Sequence, residues 1–325
     1  MAVYTEVEGE QIQALLGDLD LGRLRTFEGV ADGVENTTYF VTTETDQGRV
    51  SKWVLTILEV ENSQQTAFSA ALVDHLCRAG LPVPALARDR DDNAIHCIAG
   101  KKALLAHRIV GLHPGSDAQK VSVIHCAAIG EFLGKMHRGS AGFHLQHANP
   151  YGLSWAESAM AKLASVLPSG DLTLVREQLS RQRLLREQVS GMPVGAIHAD
   201  LFRDNTLFNG ETLSAVIDFQ SACTDWFLLD VAIAVNDWAS TGEGEIDTAL
   251  ASALLNAYRQ QRPFIEREHQ LWQDVLCFAA TQFWLSRLWT NQYAHAELTG
   301  RCGKDPQQYA RILRCRVARV TPLPQ

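Results

Sequence analysis

His198, Asp200 and Asn205 stand within one short run, GAIHADLFRDNTLF, and Asp218 follows at the end of the apolar segment LSAVIDF. Polar groups cost free energy when buried without partners, so a polar cluster between strand-like residues is either satisfied internally or turned on a ligand. The residue types here suit a ligand. Asn205 and Asp218 can each offer an oxygen to a hard cation, and Mg²⁺ is typically held by one or two protein oxygens, with water and substrate phosphates completing its shell. Asp200 is then available to accept a proton from an attacking hydroxyl. His198 is expected to tie the loop together by hydrogen bonds rather than to do acid–base work. A zinc-hydrolase reading fails because no second histidine lies at ligand spacing; His144 and His147 read as surface residues.

The pattern His-x-Asp-x-x-x-x-Asn followed by a strand-borne aspartate matches the catalytic loop and metal-binding aspartate of the kinase template, with Ala199 where protein kinases carry arginine. Such a site needs a nucleotide loop. One candidate is EGVADGVEN (28–36), whose Gly29 and Gly33 would let backbone N–H groups approach phosphate oxygens, although a glycine hairpin turn is by itself a common feature. GEFLGKM (130–136) imitates a P-loop but is one residue too short, lacks Ser or Thr after Lys135, and lies in a helical pattern. There is no G-x-G-x-x-G fingerprint.

These residues must be positioned by a surrounding fold. TFEGVADGVENTTYFVTT and WVLTILEV read as strands around a glycine-mouthed hairpin, and AIHCI and KKALLAHRI as two more. Between them Phe68, Leu72, Leu76 and Ala79 recur at helical spacing from Asn62 to a stop at Gly80. Beyond Gly111 and Pro114 the texture turns helical, over 121–137, 153–163, 172–189, 249–259, 270–293 and 307–320. Strand material there is limited to VGAIH, NTLF and LSAVIDF, which surround the polar loop. The join lies near Arg108, predicting units at 1–108 and 109–325.

At 325 residues and 46% apolar, the chain can bury a sizeable core. The opening MAVYTEVEGEQIQ is acidic and lacks an apolar h-region, and no apolar run is long enough to span a bilayer, so a cytoplasmic protein without a membrane partner is expected. Seven scattered cysteines without a C-x-x-C pair read as reduced thiols. A formal net charge of −8 and the absence of any Lys/Arg block argue against a nucleic-acid partner and favour a small molecule.

Taken together, FEGVADGVENTTYFV, WVLTILE, LCRAGLPVP, LGKMH, NPYGLSW, HADLFRDNTLF, IDFQSACTDWFLLDVAIAVNDW, FWLSRLW and KDPQQY resemble the aminoglycoside-phosphotransferase and choline-kinase branch of the protein-kinase-like fold. HADLFRDN, NDW and SRL resemble, within it, the bacterial homoserine kinases. The resemblance covers nearly the whole chain. It implies an α+β, two-lobed fold with a small antiparallel-sheet lobe carrying one main helix and a larger, mainly helical lobe. It also implies ATP and Mg²⁺ as cofactors and L-homoserine as the substrate, phosphorylated on its side-chain hydroxyl in a step toward threonine. By the same resemblance Asp200 is the catalytic base, Asn205 and Asp218 the Mg²⁺ ligands, Gly29, Gly33 and Asn36 the phosphate-covering loop, and Asp230 a helix-starting brace.

One departure stands out. Thr56 occupies the place of the phosphate-binding lysine on the third strand, and the next helix shows no glutamate partner between Thr66 and Leu72. Loss of both halves avoids an unpaired buried charge. Lys52, on the same strand face, stands about 13 Å away and is a weak substitute. The zwitterionic substrate further demands a cation and an anion: Arg203 or Arg287 could take its carboxylate, and Asp237 or Asp225 its ammonium. Alternative readings are the same fold acting on another small alcohol and, from a different class, a pseudokinase-like nucleotide-binding module.

Overall fold

A computed structural model of the chain describes residues 4–30, 36–60, 62–116, 119–294 and 304–324. Strands β1 (Arg23–Gly29), β2 (Thr37–Glu44) and β3 (Val50–Ile57) form a meander, which β4 (His96–Ile98) and β5 (Lys101–His107) extend into an antiparallel sheet of order β1-β2-β3-β5-β4. Side chains alternate between the faces of a strand. Tyr39, Val41, Trp53, Leu55, Ile57, Ala103 and Leu105 are buried on one face, beneath Ile12, Leu15 and Leu16 of helix α1 (Gly9–Asp18). The sequence reading took this N-terminal stretch only as acidic, although its apolar residues carry the helical period. The opposite face, with Thr38, Phe40, Val54, Thr56 and Leu104, is only half-buried.

Helix α2 (Ser63–Arg78) begins where the Asn62 side chain accepts the Gln65 N–H at 3.1 Å and stops before Gly80, whose φ of 75° suits glycine. Its apolar stripe does not join the sheet core. Phe68, Leu72 and Leu76 pack into the cluster built by the C-terminal helices, and Gln65 Nε2 donates to the Ala222 carbonyl at 2.7 Å. A helix from the first part of the chain thus belongs, by packing, to the second.

The C-terminal part comprises α3 (Val123–Gly139), α4 (Leu153–Leu163), α5 (Ser169–Gln188), α6 (Phe227–Trp238), α7 (Thr248–Gln261), α8 (Glu266–Trp289) and α9 (Pro306–Ala318). Every residue of α6 is buried. Its polar residues, Asp230, Asn236 and Asp237, are buried with the rest and mark no solvent-facing side, which is why periodicity alone gave no helix there. The P-loop look-alike lies inside α3: a Cβ at Gly130 would stand 2.0 Å from the Leu254 carbonyl oxygen, and one at Gly134 2.9 Å from that of Tyr258. These glycines serve the close contact of α3 with α7, not a phosphate. Two small antiparallel pairs complete the fold, β6 (Val194–Ile197) with β9 (Cys223–Trp226) and β7 (Thr206–Asn209) with β8 (Thr212–Val216). Strand β9 went unread in the sequence. The cysteines among the described residues are free thiols; Cys302 lies outside them. No helix of the described residues is long and apolar enough to cross a membrane.

Candidate active site

Strand β6 delivers the chain to His198 and β7 carries it away after Asn205, so residues 198–205 form a loop between two anchored strands. Beneath it, in the first turn of α6, lies the fully buried Asp230. Its Oδ2 accepts the His198 backbone N–H at 2.8 Å and its Oδ1 that of Ala199 at 2.9 Å. Those bonds hold Ala199 at a φ of 63°. Such a left-handed conformation in a non-glycine residue costs about 1–3 kcal/mol and persists only where its surroundings impose it. Burial alone would raise the Asp230 carboxyl, but bonds from His137 and from the His198 backbone outweigh it and hold the group below the ordinary range. The His137 ring, kept neutral by burial, donates from Nε2 to Asp230 at 3.1 Å and at Nδ1 accepts from the Tyr258 hydroxyl at 2.9 Å. His137 and Tyr258 lie far from the motif in sequence, and nothing local to the motif marks them.

His198 links the two halves of the site. Its Nδ1 accepts the Asp200 N–H at 3.2 Å and its Nε2 donates to the Ile217 carbonyl at 3.0 Å, one residue before Asp218. Burial lowers its pKa, so the ring stays neutral and keeps both roles. Asn205 Nδ2 donates to the Asp200 carbonyl at 2.8 Å and to Asp200 Oδ2 at 2.9 Å. Both bonds use the amide nitrogen, which turns the amide oxygen away from Asp200. The Asn205 carbonyl accepts the Ile217 N–H at 2.9 Å, so Asn205 and the Asp218 segment run side by side. Asp218 adopts a φ of 60°. Its surface opens to solvent while protein surrounds its other sides; desolvation raises its pKa, partly offset by His198, the Gln220 N–H and the charge of Lys304. Among the described residues no three His, Cys, Asp or Glu side chains gather as a metal cluster. The donor set is instead one amide and one carboxylate oxygen, which fits a hard cation that takes its remaining ligands from water and phosphate.

In the segment expected to cover the phosphates, Gly29 closes β1 opposite Tyr39. Gly33 lies outside the described residues. Asn36 is held at both ends of its amide: Nδ2 donates to Gln220 Oε1 at 2.5 Å, and Oδ1 accepts the Glu59 N–H at 3.1 Å. Glu59 in turn accepts the Thr37 hydroxyl at 2.6 Å and pairs with Lys101. Thr56 sits between Thr38 and Leu104 on the half-buried face, and Lys52 is exposed opposite Thr42.

The residues offered for the substrate's charges are held by other protein groups. Arg203 donates from its backbone N (2.9 Å) and Nε (3.1 Å) to Asp237 Oδ2, so those two satisfy each other. Arg287 Nη1 donates to the Asp305 carbonyl at 3.0 Å and to Gln308 Oε1 at 2.7 Å, with its guanidinium over the Tyr309 ring. Asp225 is buried against Arg186 and Asn149. The structure adds a pair without an assigned role: Asp204, inside the loop, with Lys304, just ahead of α9. The Tyr309 hydroxyl is buried without a hydrogen-bond partner among the described residues, in the field of Asp237, Arg287, Asp200 and Arg203.

The phosphotransferase enzyme family matches residues 26–264. A homoserine kinase of Pseudomonas aeruginosa (strain UCBPP-PA14) is 40% identical over 288 residues, 89% of this chain and 88% of the relative. One from Methylobacillus flagellatus is 38% identical over 319 residues, covering 98% of this chain and 96% of the relative. Among solved structures, an amicoumacin kinase in complex with AMP-PNP and Ca²⁺ superposes with a TM-score of 0.66 at 19% identity, covering 95% of this chain and 92% of the other. A spectinomycin phosphotransferase in complex with ADP and spectinomycin gives 0.64 at 11% identity, covering 98% and 96%. Those structures share the fold, an N-terminal five-stranded sheet with a larger helical part. The chain therefore belongs to the phosphotransferase enzyme family and, within it, to the homoserine kinases.

Proposed function

We propose that this chain transfers the γ-phosphoryl group of ATP to the side-chain hydroxyl of L-homoserine, giving O-phospho-L-homoserine and ADP. The observation that carries the reading is the Asp200–Asn205–Asp218 constellation on a loop clamped from below by Asp230, in a chain related over nearly its full length to homoserine kinases. Asp200 orients the hydroxyl and takes its proton as the new O–P bond forms and the bond to the ADP oxygen breaks. Asn205 holds the Asp200 side chain through its amide nitrogen and, with its amide oxygen, joins Asp218 in holding Mg²⁺. When bound, that cation neutralises charge on the phosphate oxygens. Gly29, Gly33 and Asn36 cover the phosphates. His198 and Asp230 keep the loop in register, and Arg203 with Asp237 stiffens its far end, so catalysis comes mainly from positioning and electrostatics. The chain divides at residue 108 into a nucleotide-binding and a catalytic unit and works in the cytoplasm.

The test is ADP release from Mg·ATP with L-homoserine, choline and an aminoglycoside as acceptors. Homoserine-dependent release well above the other two supports the reading. Release with another alcohol alone keeps the fold and discards the acceptor. Nucleotide binding without turnover on any acceptor would turn the reading toward a binding module, an outcome for which Thr56 in the lysine position provides a structural reason.

A further inference from the structure

The geometry points to the Asp204–Lys304 pair as the site that recognises the charged end of the amino-acid substrate, with Lys304 meeting the α-carboxylate and Asp204 the α-ammonium. This rests on the reading of homoserine as acceptor and names the residues that select it. A homoserine molecule carries both charges on one carbon, a short side chain away from the reacting hydroxyl. With that hydroxyl at Asp200, its charges fall no further off than the loop itself, and Asp204 stands in the tight turn Arg203–Asn205 of that loop.

Among the described residues, the other side chains offered for the substrate's charges are held by protein groups. Arg203 and Asp237 bind each other, and Arg287 binds the Asp305 carbonyl and Gln308. The Lys304 and Asp204 side chains are instead about half open, at 49% and 51% exposure, and ion-paired to each other. Exposed ion pairs add little to stability, so this one is weakly explained as a structural element. Its place is nevertheless fixed. Arg287, itself buried, grips the Asp305 carbonyl, Asp305 caps α9 through the Gln307 N–H, and Pro306 opens the helix. The Lys304 ammonium lies 5.1 Å from the centre of the Phe202 ring, on the loop.

The pair is also the mirror image of its ligand. In the free protein the ammonium and carboxylate neutralise each other. An α-amino acid brings one carboxylate and one ammonium and can interleave with them into four alternating charges, so no charge is left unmatched on binding. An amino alcohol without a carboxylate leaves Lys304 facing a second cation, which is selection by repulsion as well as by attraction.

The experiment uses the full chain and three acceptors in the ADP-release assay: L-homoserine, the aminopropanol that lacks its carboxylate, and the hydroxybutanoate that lacks its ammonium. Lys304→Met should raise KM for homoserine about 10- to 100-fold, lower it for aminopropanol by removing the facing cation, leave KM for ATP within about twofold, and be partly restored in Lys304→Arg. Asp204→Asn should do the same for homoserine while sparing hydroxybutanoate. A homoserine KM that stays put in both variants, or that rises equally for the truncated acceptor, overturns the assignment. If wild type ignores homoserine but phosphorylates another alcohol, it is the acceptor reading that has failed, and the pair's assignment goes with it. Should Lys304→Met not fold, Lys304→Gln and Asp204→Asn read the same selectivity, with ATP binding as the measure of an intact fold.

Discussion

Asp230 shows how a residue that meets no substrate can decide whether a site exists. Its two oxygens take three donors, the backbone N–H groups of His198 and Ala199 and the His137 ring. An asparagine would turn an N–H₂ group toward at least one of them. Removing one member of such a buried charged network costs about 3–5 kcal/mol, and Asp230→Asn should lose roughly that in urea unfolding at pH 7. The folded pKa of Asp230 is depressed, so its contribution is fully present above the unfolded carboxylate value of about 3.9 and disappears as pH falls through the lower folded value. The stability curves of wild type and variant should therefore converge in acid; a gap that stays constant to the lowest pH would refute this assignment. At the same scale, the gathering of His198, Asp200, Asn205 and the Asp218 segment was legible because they lie on one short loop and the strand end beside it. Lys304 was not, since its proximity to Asp204 arises only when α9 packs beside the loop.

Among the elements, most strands, α2 and most C-terminal helices followed from periodicity and end signals; α1 and β9 went unread, and α6 did too because its polar residues are buried like the rest. The α3–α7 contact is the clearest case of a sequence signal with two physical meanings. GEFLGKM looks like a phosphate loop, and its glycines are needed because the Leu254 and Tyr258 carbonyls stand where side chains would begin. Gly130→Ala adds a favourable helix residue yet should destabilise the chain by about 1–3 kcal/mol through overpacking, because the obstructing atom is backbone and cannot rotate away. A denaturant midpoint at or above that of wild type would show that α7 yields easily.

In the whole molecule there are two apolar cores, one under the N-terminal sheet and one among the C-terminal helices with α2. Asn36 to Gln220 and Gln65 to Ala222 tie the start of β2 and α2 to the segment following Asp218. Sequence reading divided the chain near residue 108 and could not show that α2 packs across that division, because long-range packing leaves no local mark. Asn36→Ala should raise KM for ATP about 3- to 10-fold with little change in the unfolding midpoint, since it removes a bond that orders the nucleotide side without opening a core. An unchanged KM for ATP would separate Asn36 from the nucleotide. The central claim, that this loop performs phosphoryl transfer with Asp200 as base, is tested most directly by Asp200→Asn with L-homoserine and Mg·ATP, following turnover and ATP binding in parallel. The account predicts a fall in kcat of about 100- to 10,000-fold with ATP affinity within a few-fold of wild type; near-wild-type turnover in that variant would contradict it.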